Sequence, residues 1–136
     1  MNRYVAGILL LLACSVAAGA LAQKPDGIGT SSGVYTADQA KKGEETYMNI
    51  CVACHPAGTY TTPAFREKWD SKPLSELFQL VSETMPKQEP ASLSPPEYAQ
   101  VLAYLLKIND APEGKQELPA EIEALKKVRI EMPKRD

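Results

Sequence analysis

The sequence predicts an all-α domain of three to four short helices. Two observations carry this expectation. Apolar residues recur at helical spacing in separate stretches, each bounded by capping residues or prolines. No stretch alternates apolar and polar residues as a half-buried strand would. At 136 residues, the chain suits one domain.

Residues 1–22 are expected to be a signal peptide. Arg3 supplies the positive start, Val5 to Ala18 is almost wholly apolar, and Ala20-Leu21-Ala22 offers a cleavage site. The apolar run is short for a bilayer span. Leu11-Leu12-Ala13-Cys14 forms an imperfect lipoprotein box, with Leu12 bulkier than such boxes usually carry. A lipid on Cys14 would tether the protein to a membrane without spanning it; cleavage after Ala22 is the preferred reading. Residues 23–35, rich in Gly, Ser and Thr, are expected to form a flexible leader.

Thr36 and Gln39 make the pattern of a capping box, opening a first helix from about Ala37 to Asn49. Ala40, Gly43 and Tyr47 share one face. A glycine within a helix costs about 1 kcal/mol relative to alanine, which suggests a second helix crossing close by, with Tyr104 over Gly43. Residues 56–69 read as a loop. A second helix is expected over 73–84, with Leu74, Leu77, Phe78 and Val81 inward, ending before Met85-Pro86. Residues 87–93 form a loop. Ser94, Pro95 and Glu97 then open a third helix whose stripe is Tyr98, Val101, Leu102 and Leu105, ending near Asn109. The region 111–136 is a charged extension. One short helix over 119–128 would turn Ile122, Leu125 and Val128 inward, making a strap on the domain surface rather than a partner-binding arm.

The chemistry lies in Cys51-Val52-Ala53-Cys54-His55. This C-x-x-C-H run is the attachment pattern of a covalent c-type haem. On a helix, residues three and four apart share a face, so both thiols reach one porphyrin edge while the imidazole turns under the iron. With Cys14 removed, these are the only cysteines left. They lie too close for a useful stapling disulfide. A thiol oxidoreductase is the rival reading, but such pairs sit in a βαβ context that this chain lacks. Net charge is −2, and loss of Arg3 makes it more negative, which argues against a nucleic-acid partner.

With these features the chain resembles the small class I c-type cytochromes over about residues 35–110, the 36–110 domain. The resemblance rests on Gly43 and Tyr47 in the first helix, C-x-x-C-H at 51–55, Met85-Pro86, and Ala103-Tyr104-Leu105 in the last helix. It implies a cytochrome c-like fold of three to four helices around one covalent haem c. Cys51 and Cys54 would attach it, and His55, the only histidine, would be the proximal ligand. Met85 would be the sixth ligand, a soft thioether that favours reduced iron. Met48 lies too near the attachment site and Met132 in the tail. By the same resemblance, the carbonyl of Pro63 would accept the proton of the ligating imidazole, Phe65 would pack on the ring, and Trp69 would donate to a propionate or anchor the core. Pro56 replaces the glycine often found after the haem histidine, removing an amide donor.

The implied function is a periplasmic electron carrier rather than an enzyme, passing single electrons from a dehydrogenase to an oxidase or another cytochrome. It would act as a monomer or as a subunit of a dehydrogenase complex. The ending Asn109…Glu117-Leu118-Pro119-Ala120 resembles cytochromes that accompany quinoprotein dehydrogenases. The alternative is a haem sensor or haem enzyme with a displaceable sixth ligand. Only two Phe and one Trp are present, so the haem itself would complete the core and the haem-free chain would be largely unfolded.

Overall fold

The computed structural model describes residues 27–135. The leader peptide, the cleavage site and Cys14 lie outside the described residues. Helix α1 spans Ala37–Thr46, α2 Pro63–Trp69, α3 Leu74–Thr84, α4 Pro95–Ile108 and α5 Ile122–Leu125. Two-residue strands β1 (Ile28–Gly29) and β2 (Val128–Arg129) pair in parallel. The architecture is all-α apart from this clip. Among the described residues, no helix is long and apolar enough to cross a membrane.

The core is set by where α1 crosses α4. A Cβ added to Gly43 would lie 1.8 Å from the carbonyl oxygen of Gln100. The crossing expected at this glycine is present, but its partner is the backbone at Gln100 and Val101. Tyr104 sits one turn further on, its ring 5.1 Å from that of Tyr47. Leu74, Leu77 and Phe78 of α3 close the same core from the other side.

Four expectations are corrected. Residues 56–69 are not an irregular loop: after a tight turn over Ala57–Thr61, α2 begins at Pro63. Its start follows the usual rule, with the Thr62 hydroxyl accepting from the Phe65 amide at 3.2 Å and proline in the first turn. The expected leader is packed from Gly27 onward. Thr30 and Tyr35 are fully buried, and the Tyr35 hydroxyl donates to the Ala111 carbonyl at 2.6 Å. Burial, with Glu113 adding to it, pushes the Tyr35 phenol up to about 12. The box at the start of α1 is half formed. Thr36 accepts from the Gln39 amide at 3.1 Å, but the Gln39 side chain bonds both the N–H and the C=O of Leu118 instead. The helix expected over 119–128 is only the single turn α5.

Gln39 shows why the extension behaves as the expected strap. A buried amide that satisfies two backbone groups holds a segment that has little secondary structure of its own. Leu118, Leu125, Val128 and Ile130 then enter the main core. Full burial of each such side chain contributes about 1.5–3 kcal/mol. Met132, expected in a mobile tail, is partly buried against the same core.

Two predictions follow from these contacts. Gly43→Ala gains helix propensity but drives a methyl into backbone that has no side-chain end to yield. Overpacking of this kind costs about 1–3 kcal/mol, so the thermal midpoint should fall by roughly 4–8 °C per kcal/mol lost. The second concerns Glu131, whose carboxylate accepts from the Ser31 hydroxyl and from Arg129 at 2.7 Å. The Ser31 bond first, then Arg129, holds it below the ordinary value of 4.5. A depressed carboxylate stabilises the fold above its unfolded value, and that contribution is lost as pH falls through the folded value. Thermal midpoints of wild type should therefore drop on acidification from about pH 5 downward, and Glu131→Gln should flatten part of that drop. Glu131 is partly exposed, so the effect is small.

Candidate haem site

Helix α1 does not stop at Thr46. It widens into a π-helical turn over Tyr47–Cys51, which carries the chain into the C-x-x-C-H run. The His55 amide donates to the Cys51 carbonyl at 2.9 Å, and the Tyr47 hydroxyl donates to the His55 carbonyl. These bonds hold Cys51, Cys54 and His55 as one local unit. Burial, then the nearby Tyr60, Cys51 and Tyr104, pushes the Tyr47 phenol up, so it stays a donor at every ordinary pH. Pro56 presents its carbonyl to the Thr59 amide at 2.9 Å, so the missing donor does not disrupt the turn that follows.

With the π-helical turn, this unit forms one wall of a cavity of about 660 Å³ whose other walls come from α2, α3, the segment after it and α4. The volume lies within the range of about 300–1,000 Å³ found for small-molecule and cofactor sites. Cys51, Cys54, His55, Phe65, Trp69 and Met85 all line it. Met48 is exposed, and Met132 lines a separate groove with Thr61 and Arg66. Met85 is therefore the methionine that meets the cavity among the described residues. The remaining walls are largely apolar: Leu77, Leu80 and Val81 from α3, Val101 and Leu105 from α4.

Pro63 is the residue that does not join them. It is exposed on the first turn of α2 and lines the Met132 groove. Among the described residues, nothing accepts a hydrogen bond from the His55 ring; its aromatic neighbour is Tyr60, with centroids 5.9 Å apart. The role that the family resemblance implied for the Pro63 carbonyl does not match this placement. The reason is the helical start at Thr62, which turns that peptide into α2.

Trp69 is buried, and the ammonium nitrogens of Lys68 and Lys72 lie 5.4 and 5.3 Å from its ring centroid. Its indole N–H has no acceptor among the described residues. Lys68 and Lys87 are the charged residues that line the cavity, with no carboxylate beside them. Tyr60, Lys68, Lys87 and Tyr98 are among the lining residues that were not singled out as site residues from sequence. The signal available for Lys68 and Lys87 was position alone, each lying within two residues of Trp69 or Met85.

The donor set fits a haem. Two thiols and an imidazole stand on one wall and a thioether on another, around an apolar space with cations for two carboxylates. Among the described residues, no three His, Cys, Asp or Glu side chains converge to hold a bare metal ion. The thiols also suit this use better than disulfide exchange. Burial pushes the Cys51 thiol up, whereas a redox thiol needs its thiolate stabilised.

The sequence matches the family described as cytochrome C oxidase, cbb3-type, subunit III, over residues 38–105, half of the chain. The chain belongs to this family. It is a class I c-type cytochrome, with covalently bound c-type haem and its iron as cofactor. It is a haem-based electron-transfer protein whose partners are redox proteins. No curated protein and no solved structure matches the chain.

A dry apolar void of this volume would cost on the order of 10 kcal/mol, comparable to the whole stability of a domain. Water entering at the mouth relieves only part of that, because the walls are apolar. The Cys51→Ala, Cys54→Ala double variant should therefore lose covalent haem and most of its helical circular dichroism. A compact, helical double variant with cooperative unfolding would contradict this.

Proposed function

We propose that this cytochrome is a periplasmic single-electron carrier with His/Met ligation. In this reading, Cys51 and Cys54 make the thioether links, while His55 and Met85 are the iron ligands. Phe65 packs on the macrocycle, and Trp69 offers its indole N–H to a propionate. Pro63 has no such support, since it lies outside the cavity. When bound, the haem supplies a one-electron couple. The chain's own residues keep water from it, fix its orientation through two links, and leave no position for a substrate.

The observation that carries the reading is that Met85 and His55, from separate segments, line one cavity, with the other described methionines elsewhere. A soft thioether favours reduced iron and raises the potential. Residues 1–22 would direct export, with the domain over 36–110 and residues 111–136 as its extension. The donor we propose is a dehydrogenase, of the quinoprotein class that the ending at 109–120 resembles, and the acceptor a terminal oxidase or another cytochrome. Transient contacts of this kind are small and weak.

Expression with the cytochrome maturation machinery active tests this. The expected product is coloured, heavier than the bare polypeptide by one haem, and low-spin. Its oxidised form should show the weak near-infrared sulfur-to-iron band, and its reduced form should ignore carbon monoxide. Met85→Ala should abolish the band, admit carbon monoxide and lower the potential by a fraction of the roughly 0.8 V over which axial ligands tune haem. A wild type that binds carbon monoxide tightly would point instead to a sensor or enzyme with a displaceable ligand.

A further inference from the structure

The loop from Met85 to Leu93 is held by one side chain that lies outside it. Both backbone groups of Met85 are taken. Its N–H donates to the Val81 carbonyl at 3.0 Å, closing the last turn of α3. Its carbonyl accepts the hydroxyl of Tyr98, at 2.6 Å, from the first turn of α4. The Tyr98 hydroxyl oxygen in turn accepts from the Leu93 amide at 3.4 Å. A single phenol thus closes both ends of the loop. Between those ends, the backbone bonds are short turn contacts, Glu89 to Pro86 at 3.0 Å and Ser92 to Glu89 at 3.3 Å.

Tyr98 is itself firmly placed. It is 2 % exposed, and its ring meets Phe78 edge-on at 6.4 Å. The helix under it starts at a fixed point, because Glu97 accepts from both the amide and the hydroxyl of Ser94. Tyr98 also lines the cavity beside Met85. Its phenol is a donor and an acceptor at once, and both capacities are spent on the loop.

We propose that Tyr98 is a positioning residue for the methionine ligand. Its hydroxyl fixes the peptide of Met85, so that the thioether stays aimed into the cavity and resists displacement by an outside ligand. This rests on the reading of Met85 as the sixth ligand. With its N–H and C=O both bonded, Met85 has only side-chain torsions left to explore. Remove the hydroxyl, and the half-buried carbonyl must turn outward to find water, because an acceptor left unpaired is costly. The side chain moves with its peptide.

The experiment uses the holoprotein and its Tyr98→Phe variant, with imidazole titrated into the oxidised form and followed by loss of the sulfur-to-iron band. Imidazole affinity should rise about tenfold in the variant, the equivalent of one buried hydrogen bond. Phe78→Leu, which loosens packing on the Tyr98 ring and leaves the hydroxyl bonds in place, should lower the thermal midpoint without raising that affinity. Three outcomes overturn the proposal. Unchanged affinity in Tyr98→Phe, with the band present in wild type, refutes Tyr98 alone. An equal rise in Phe78→Leu assigns the effect to packing. A wild type without the band refutes the ligand reading and this proposal with it. If Tyr98→Phe does not accumulate as holoprotein, wild type still decides: a slowly exchanging Tyr98 hydroxyl proton in the reduced protein supports the proposal, and rapid exchange overturns it.

Discussion

The approach of α1 to the backbone of α4 at Gly43 governs the rest of the structure. With no side chain at Gly43, the two helix backbones come close enough that a Cβ would meet the Gln100 carbonyl at 1.8 Å. One turn beyond the crossing, α1 delivers Tyr47 and then the C-x-x-C-H unit. From the other helix, Tyr98, Val101 and Leu105 line the cavity. The crossing therefore fixes how far the thiol wall stands from the methionine loop, since Tyr98 carries that loop. A wider crossing would move the two walls apart as rigid bodies, because protein interiors do not stretch smoothly.

Much of this was legible locally. The starts of α1 and α4 could be read from Thr36 and Ser94, the inner face of α3 from its spacing, and Gly43 from its cost inside a helix. What could not be read depended on partners distant in sequence. Gln39 looked like the second half of a box, but two unsatisfied groups at Leu118 claimed its side chain. The pairing of Ile28–Gly29 with Val128–Arg129 is only two residues long, too short for any alternation to show. Helix α2 was missed for a different reason. Its apolar pair, Phe65 and Trp69, is a single helical step, although Thr62-Pro63 was a readable start signal.

The site divides the same way. Cys51, Cys54 and His55 are neighbours in sequence, so a motif could name them. Met85 and Trp69 reach the cavity only through the packing of α2 and α3. Pro63 was assigned by resemblance alone, and the local preference of Thr62-Pro63 for starting a helix took it elsewhere. Tyr98 was legible as a buried stripe residue. Its hydroxyl partners were not, since they follow from how the 85–93 loop returns to α4.

The segments outside the family match explain how such a small domain affords an open cofactor cavity. Tyr35, Leu118, Leu125, Val128 and Ile130 are buried in the core shared with α3 and α4, yet none of them lines the cavity. Arg66 ties the two regions together, bonding Asn109 at 2.9 Å and the Pro133 carbonyl, while Asn109 holds the Tyr60 carbonyl at 2.9 Å. The strap thus adds apolar burial on a surface away from the thiols and the methionine. Stability is gained from residues that do not line the cavity with Lys68 and Lys87. Electron transfer needs that separation: the redox group must be shielded enough to avoid reorganising water, yet near enough to the surface for a partner to approach its edge. A core completed from the opposite side satisfies both requirements.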